Sequence, residues 1–324
     1  MLVSVLLFAV GLVLLIKGGD WFVDGAVGIA KRFNLPDIVV GATVVSIGTT
    51  LPEVMVSTTG ALAGSGAMAY GNAIGSIICN TALIAAISIV CNPGPVNVKS
   101  MKTPAIFFFC SAALYCLAAY GLGTFPRWMG FVMLAIFVAY TLLTVRNGMK
   151  NPDAGAEEEE EGGKPKKLWQ ELLLLVVGAG VIAVGADLLV EHGQVIAIGL
   201  GVPETVGALL FVALGTSLPE LVTTITSLKK GRASLGVGNV IGANVFNLVL
   251  VSGVAVSLAP FDVPVENTLL NTGLNLSLVF DIPVMLGVMS LMIFPALLGK
   301  KLSRWQGILL LGIYVAFCVC QFVL

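Results

Sequence analysis

The chain has 324 residues, 57% hydrophobic and 11% charged, with a mean hydropathy of +1.01; a soluble domain is roughly 45–50% apolar and about 25% charged, so this protein belongs in lipid. A net charge of −1 and a pI near 5.9 leave no basic footprint for nucleic acid, and no Rossmann or P-loop glycine pattern offers a nucleotide site. The single histidine, His192, excludes a multi-histidine transition-metal centre, and the six cysteines lack metal-ligand or secreted-scaffold spacing, which reads as free, buried thiols.

A spanning helix needs about 20 apolar residues, and ten stretches meet that need: 2–30, 38–63, 70–91, 104–122, 128–146, 168–190, 204–228, 236–259, 277–298 and 305–324. The first has no basic start and no small-residue cleavage site ahead of Lys17, so it reads as a retained helix. It carries Asp20 and Asp24 towards its end. The second holds Gly48-Thr49-Thr50-Leu51-Pro52-Glu53, and the third holds Gly71-Asn72-Ala73-Ile74-Gly75-Ser76 followed by Asn80. After the fifth comes 147–167, with Pro152, the acidic run Glu157–Glu161 and the basic Lys164–Lys167, too polar to bury anything and read as a flexible linker. The sixth span ends on Asp187 and Glu191. The seventh carries Gly215-Thr216-Ser217-Leu218-Pro219-Glu220, and the eighth carries Gly238-Asn239-Val240-Ile241-Gly242-Ala243 followed by Asn247. Asp281, near one end of the ninth, is unassigned.

One offset, 167, superposes the unusual residues of the two halves: Asp20 on Asp187, Asp24 on Glu191, Pro36 on Pro203, Glu53 on Glu220 and Asn80 on Asn247. Each half has five spans, an odd number, so the second enters the membrane with opposite orientation. The expected fold is an all-α membrane protein of ten transmembrane helices in two inverted five-helix repeats, 1–146 and 168–324, joined by the 147–167 linker. Inverted repeats place a transporter's substrate near the midplane, between interrupted helices.

An ionised carboxylate at mid-membrane depth costs about 3 kcal/mol on insertion scales, so Glu53 and Glu220 are expected to face the interior. Pro52 and Pro219 give no backbone hydrogen bond and free carbonyls upstream. With the hydroxyls of Thr49, Thr50, Thr216 and Ser217 and the amides of Asn80 and Asn247, these form an all-oxygen set that suits hard cations such as sodium and calcium. Two carboxylates carry −2 when empty, and one calcium or two sodium ions neutralise them; two protons would serve equally. An enzyme reading lacks a nucleophile with a base, and none is expected. A channel would share the ligands but conduct without a counter-ion.

These motifs are similar to the two alpha repeats of the calcium/cation antiporter superfamily, and closest to its prokaryotic sodium/calcium exchangers. The resemblance covers nearly the whole chain. It implies secondary antiport of Ca2+ for Na+ by alternating access, with Ca2+/H+ antiport on the same glutamates as the alternative, no cofactor, and sliding of the first and sixth helices. It places Glu53 and Glu220 on calcium, helped by the backbone of Thr49 and Thr216, and flanking sodium sites on Ser46, Thr50, Ser76, Ala213, Thr216 and Ser217. The chain departs from the family pattern at Asn247, where members have an aspartate, and at Ala243, where they have a serine; both changes weaken a flanking site. If the N-terminus is outside, 16 of the 17 basic residues face the cytoplasm and Arg127 alone does not. Both termini are then outside, in a membrane expected to be a prokaryotic inner membrane. The bilayer and the ions are the expected partners, with no nucleic acid and no obligate protein.

Overall fold

The structure, a computed structural model, describes residues 2–150, 167–199, 215–264 and 275–323. Their helices in chain order are α1 (Leu2–Arg32), α2 (Asp37–Thr49), α3 (Leu51–Leu62), α4 (Gly66–Cys91), α5 (Val98–Leu122), α6 (Arg127–Met149), α7 (Leu168–Gly199), α8 (Leu218–Lys229), α9 (Ala233–Leu258), α10 (Ser277–Gly299) and α11 (Arg304–Val323). Eight are long and apolar enough to cross a membrane. The pair α2 and α3 makes a ninth span bent by 45°. Of the remaining expected span, 204–228, only α8 falls fully within the described residues; Pro203, Ala213 and most of the 147–167 linker lie outside them.

The bend has a local cause. Pro52 stands in the first turn of α3 and cannot donate to the carbonyl of Gly48. The α8 helix starts in the same way, with Pro219 in its first turn. Elements of the two halves recur at the sequence offset: α3 begins at Leu51 and α8 at Leu218, α4 at Gly66 and α9 at Ala233, and each of those longer helices widens into a π turn at its asparagine, Asn80 or Asn247. Such widened turns leave backbone groups off the regular ladder and often mark sites.

The helices α4 and α9 are mostly buried and form the centre, their apolar faces meeting α5, α6 and α10 through Phe108, Met129, Phe246, Ile282 and Met289. The outer helices turn residues such as Leu2, Leu142 and Leu298 outwards, as lipid requires. The α1 and α7 helices cross antiparallel: Gly11 lies on Gly185, Gly18 on Ile182, and Gly25 on Leu175 and Glu171, with room for no side chain between. Small residues that let backbones touch are the usual packing device in lipid, where no hydrophobic effect drives helices together.

Two short ribbons cross between halves. The strand β1 (Gly94–Pro95) pairs with β4 (Lys301–Leu302), and β2 (Thr124–Phe125) pairs with β3 (Phe261–Asp262). Beyond them the likeness resumes at a larger offset, with Arg127-Trp128-Met129-Gly130 opening α6 and Arg304-Trp305-Gln306-Gly307 opening α11. Each arginine donates to a carbonyl at the end of a central helix of the other half: Arg127 Nη2 to Leu258 O (3.1 Å) and Arg304 Nε to Val90 O (3.0 Å).

Candidate cation site

Glu53 and Glu220 each sit in the first turn of a helix that opens with Leu-Pro, and both are fully buried. They interact with each other electrostatically. None of their four carboxylate oxygens has a hydrogen-bond partner. Thr49 and Thr50 lie beside the Glu220 carboxylate. Two buried, unpaired carboxylates from opposite halves are costly by themselves, and a cation between them removes that cost.

Further oxygen and amide groups are buried on the helices packed against α3 and α8 and at the starts of those helices. The hydroxyls of Thr50 and Ser217 and both amide atoms of Asn80 and of Asn247 are buried without hydrogen-bond partners. Ser46, on α2, and Ser76, on α4, are buried as well. Thr216, half-buried at the approach to α8, has its Oγ1 3.4 Å from Asn72 Oδ1. Of the expected cation-site residues, Ala213 alone lies outside the described residues. No cluster of three or more His, Cys, Asp or Glu occurs among the described residues, so the charge at the site comes from Glu53 and Glu220, and the remaining groups are neutral oxygens.

Two residues at the site were not singled out from sequence as site residues. Asn239, on α9, receives Thr49 Oγ1 at 3.1 Å on its Oδ1, and Ser46 Oγ lies 3.2 Å from the same atom. Asn72, on α4, holds the Glu53 carbonyl (3.2 Å) and Ser57 Oγ (2.8 Å) through its Nδ2. The offset that aligns Glu53 with Glu220 also aligns Asn72 with Asn239, but only the folded chain shows which groups they reach.

The acidic set outside the centre divides. Asp24 and Asp20 are 2.7 and 3.7 Å from Lys230 Nζ in the turn after α8, whereas Asp187 and Glu191 are exposed. Arg32 pairs with the buried Glu171 (2.9 Å) and Arg232 with Asp37 (3.1 Å). Asp281 accepts from Gln321 Nε2 (2.6 Å) and Ser277 Oγ (3.0 Å), away from the glutamates.

The profile of a family described as sodium/calcium exchanger protein matches residues 3–146 and 171–323. An uncharacterized membrane protein of Methanocaldococcus jannaschii is 34% identical over 308 residues, covering 95% of this chain and 94% of its own. The sodium/calcium exchanger MaX1 of Methanosarcina acetivorans is 29% identical, with 99% of each chain covered. Among solved structures, the sodium-calcium exchanger NCX_Mj soaked with zero Na+ and Ca2+ superposes with a TM-score of 0.79 at 32% identity over 99% of both chains.

Proposed function

The chain belongs to the sodium/calcium exchanger family, and on that premise we propose that it is a secondary antiporter moving Ca2+ against Na+ by alternating access, without an enzymatic step. What supports this reading most is the pair of buried carboxylates, Glu53 and Glu220, brought from two halves into one oxygen-lined site with no hydrogen bond to either. On this reading Thr49, Thr50, Thr216, Ser217, Ser46, Ser76, Asn80 and Asn247, with Ala213 through its backbone, supply the neutral oxygens. The two units are 1–146 and 168–324, inverted about the site and tethered by 147–167, with both termini outside a prokaryotic inner membrane.

Charge makes the exchange obligatory. Like charges confined in a poorly screened interior repel by several kcal/mol, so an empty −2 site resists being carried through the occluded state, while a site neutralised by one Ca2+ or two Na+ passes. The protein therefore returns only when it is loaded again, and that is antiport. A third Na+ would move one net charge per cycle, worth about 2.3 kcal/mol per 100 mV. Asn247 supplies no charge to hold it, which favours an electroneutral cycle and leaves two protons as a second possible load on the same glutamates.

The test is calcium-45 uptake into proteoliposomes under an outward sodium gradient, an outward proton gradient, or none. Sodium-driven uptake that Glu53→Gln or Glu220→Gln abolishes is the expected result. Uptake driven by protons alone makes the chain a Ca2+/H+ antiporter. Uptake that needs no gradient is channel behaviour and defeats the antiport reading.

A further inference from the structure

Asn72 and Asn239 carry no charge, yet each reaches across from its own half to a threonine of the other half's glutamate motif. Thr49 Oγ1 lies 3.1 Å from Asn239 Oδ1, and Thr216 Oγ1 lies 3.4 Å from Asn72 Oδ1. The two contacts are images of each other at the 167-residue offset. The images differ in their other contacts: the Asn72 amide nitrogen holds the Glu53 carbonyl and Ser57, whereas the Asn239 amide nitrogen is buried with no partner.

A hydroxyl beside a carboxylate has two options. It can donate its one hydrogen to the carboxylate, or donate elsewhere and turn its lone pairs inward. The first competes with a cation for the carboxylate; the second offers the cation another oxygen. The choice depends on whether another acceptor is in reach. At Asn72 the amide orientation follows from its partners, because the Glu53 carbonyl only accepts and must face the NH2 group, which leaves Oδ1 for Thr216. Near Asn239, Ser46 Oγ lies 2.8 Å from Gly41 O and 2.9 Å from Asn239 O, so the serine has carbonyls to donate to and leaves Asn239 Oδ1 to Thr49.

We infer that Asn72 and Asn239 are positioning residues of the cation site, each taking the hydroxyl hydrogen of the opposite half's threonine so that the threonine's lone pairs face the paired glutamates. This rests on the cation-site reading above. It accounts for the direction of the Thr49 hydroxyl, which sits beside Glu220 and donates to Asn239 Oδ1. It also gives the repeated asparagine a role apart from the ligands, setting the polarity of a hydroxyl across the boundary.

The test reads binding rather than transport. The thermal unfolding midpoint of the purified protein is titrated with Ca2+ and then Na+, for wild type, Thr49→Val, Asn239→Leu, Asn239→Asp and the two double variants. Thr49→Val and Asn239→Leu are each expected to weaken binding about tenfold, and the Thr49→Val/Asn239→Leu double variant no further than either, because both remove the same hydrogen bond. In Asn239→Asp, which keeps an acceptor, Thr49→Val still costs what it costs in wild type. Multiplying effects in the leucine double variant, or unchanged binding in Asn239→Leu, overturn the inference. Should the leucine variant not fold, the aspartate background decides: a retained cost of Thr49→Val supports the inference and no cost overturns it. A wild type that no cation stabilises overturns the proposed function and this inference together, whereas equal stabilisation of wild type and Asn239→Leu overturns this one alone.

Discussion

Where α2 crosses α9, backbone meets backbone. A β-carbon on Gly41 would press on the Leu235 carbonyl, one on Gly238 on the Ile38 carbonyl, and one on Gly242 on Ser46 Oγ and the Ala42 carbonyl. Carbonyls of packed helices cannot swing aside as a side chain can, so the cost falls on the helix separation. That separation holds Ser46 and Thr49 within reach of Asn239. Gly238→Ala is therefore expected to lower stability by on the order of 1–3 kcal/mol, the usual range for overpacking, and to weaken cation binding with it. Gly312→Ala is the control: Gly312 is exposed on α11 with open space around it, and alanine is the better helix former by about 1 kcal/mol. Thermal melts of the two variants decide, and equal midpoints would mean that the α2–α9 contact is looser than its geometry.

Between elements, the glycine seam of α1 and α7 separates motion from binding. Gly11, Gly18 and Gly25 recur every seven residues on α1, and Gly178 and Gly185 answer them on α7. The seam lies apart from the glutamates, which α3 and α8 carry. If these two helices slide during exchange, Gly18→Val and Gly185→Val should leave cation-dependent stabilisation within about twofold of wild type and slow calcium-45 exchange tenfold or more. Binding and exchange falling together would place the seam in the site's own scaffold. This layout was only partly legible in the sequence. The Pro-Glu motifs and the Gly-Asn motifs announced themselves, because helix breakers and carboxylates are rare in apolar spans and each recurs at one offset. The likeness of Arg127-Trp128 to Arg304-Trp305 did not, because the offset changes between Phe261 and Lys300 and a gap-free comparison loses the register. The Asn239–Thr49 contact was hidden for another reason: its partners are 190 residues apart, and no local spacing records a contact between halves.

At the scale of the molecule, the contacts between connections sort by parity. Counting one span for 204–228, β1 and β4 join the third and ninth connections, and β2 and β3 join the fourth and eighth. Arg32, at the first connection, pairs with Glu171 just after the fifth, and Arg232 of the seventh pairs with Asp37 of the first. Odd meets odd and even meets even, as the proposed ten crossings would require, since connections of opposite parity would lie about 30 Å apart across the hydrocarbon. Parity does not say which face is the cytoplasm; the proposed orientation follows the basic residues, since the odd connections collect Lys31, Arg32, Lys99, Lys102, Lys229, Lys230, Arg232, Lys300 and Lys301, and the even ones only Arg127. With the native cysteines replaced by serine, Arg127→Cys should react with a membrane-impermeant maleimide in intact cells, and Lys301→Cys only after permeabilisation. The reverse pattern would invert the protein and move the Lys230–Asp24 pair from the cytoplasmic face to the outer one. Labelling of both sites in intact cells would break the parity and with it the count of ten.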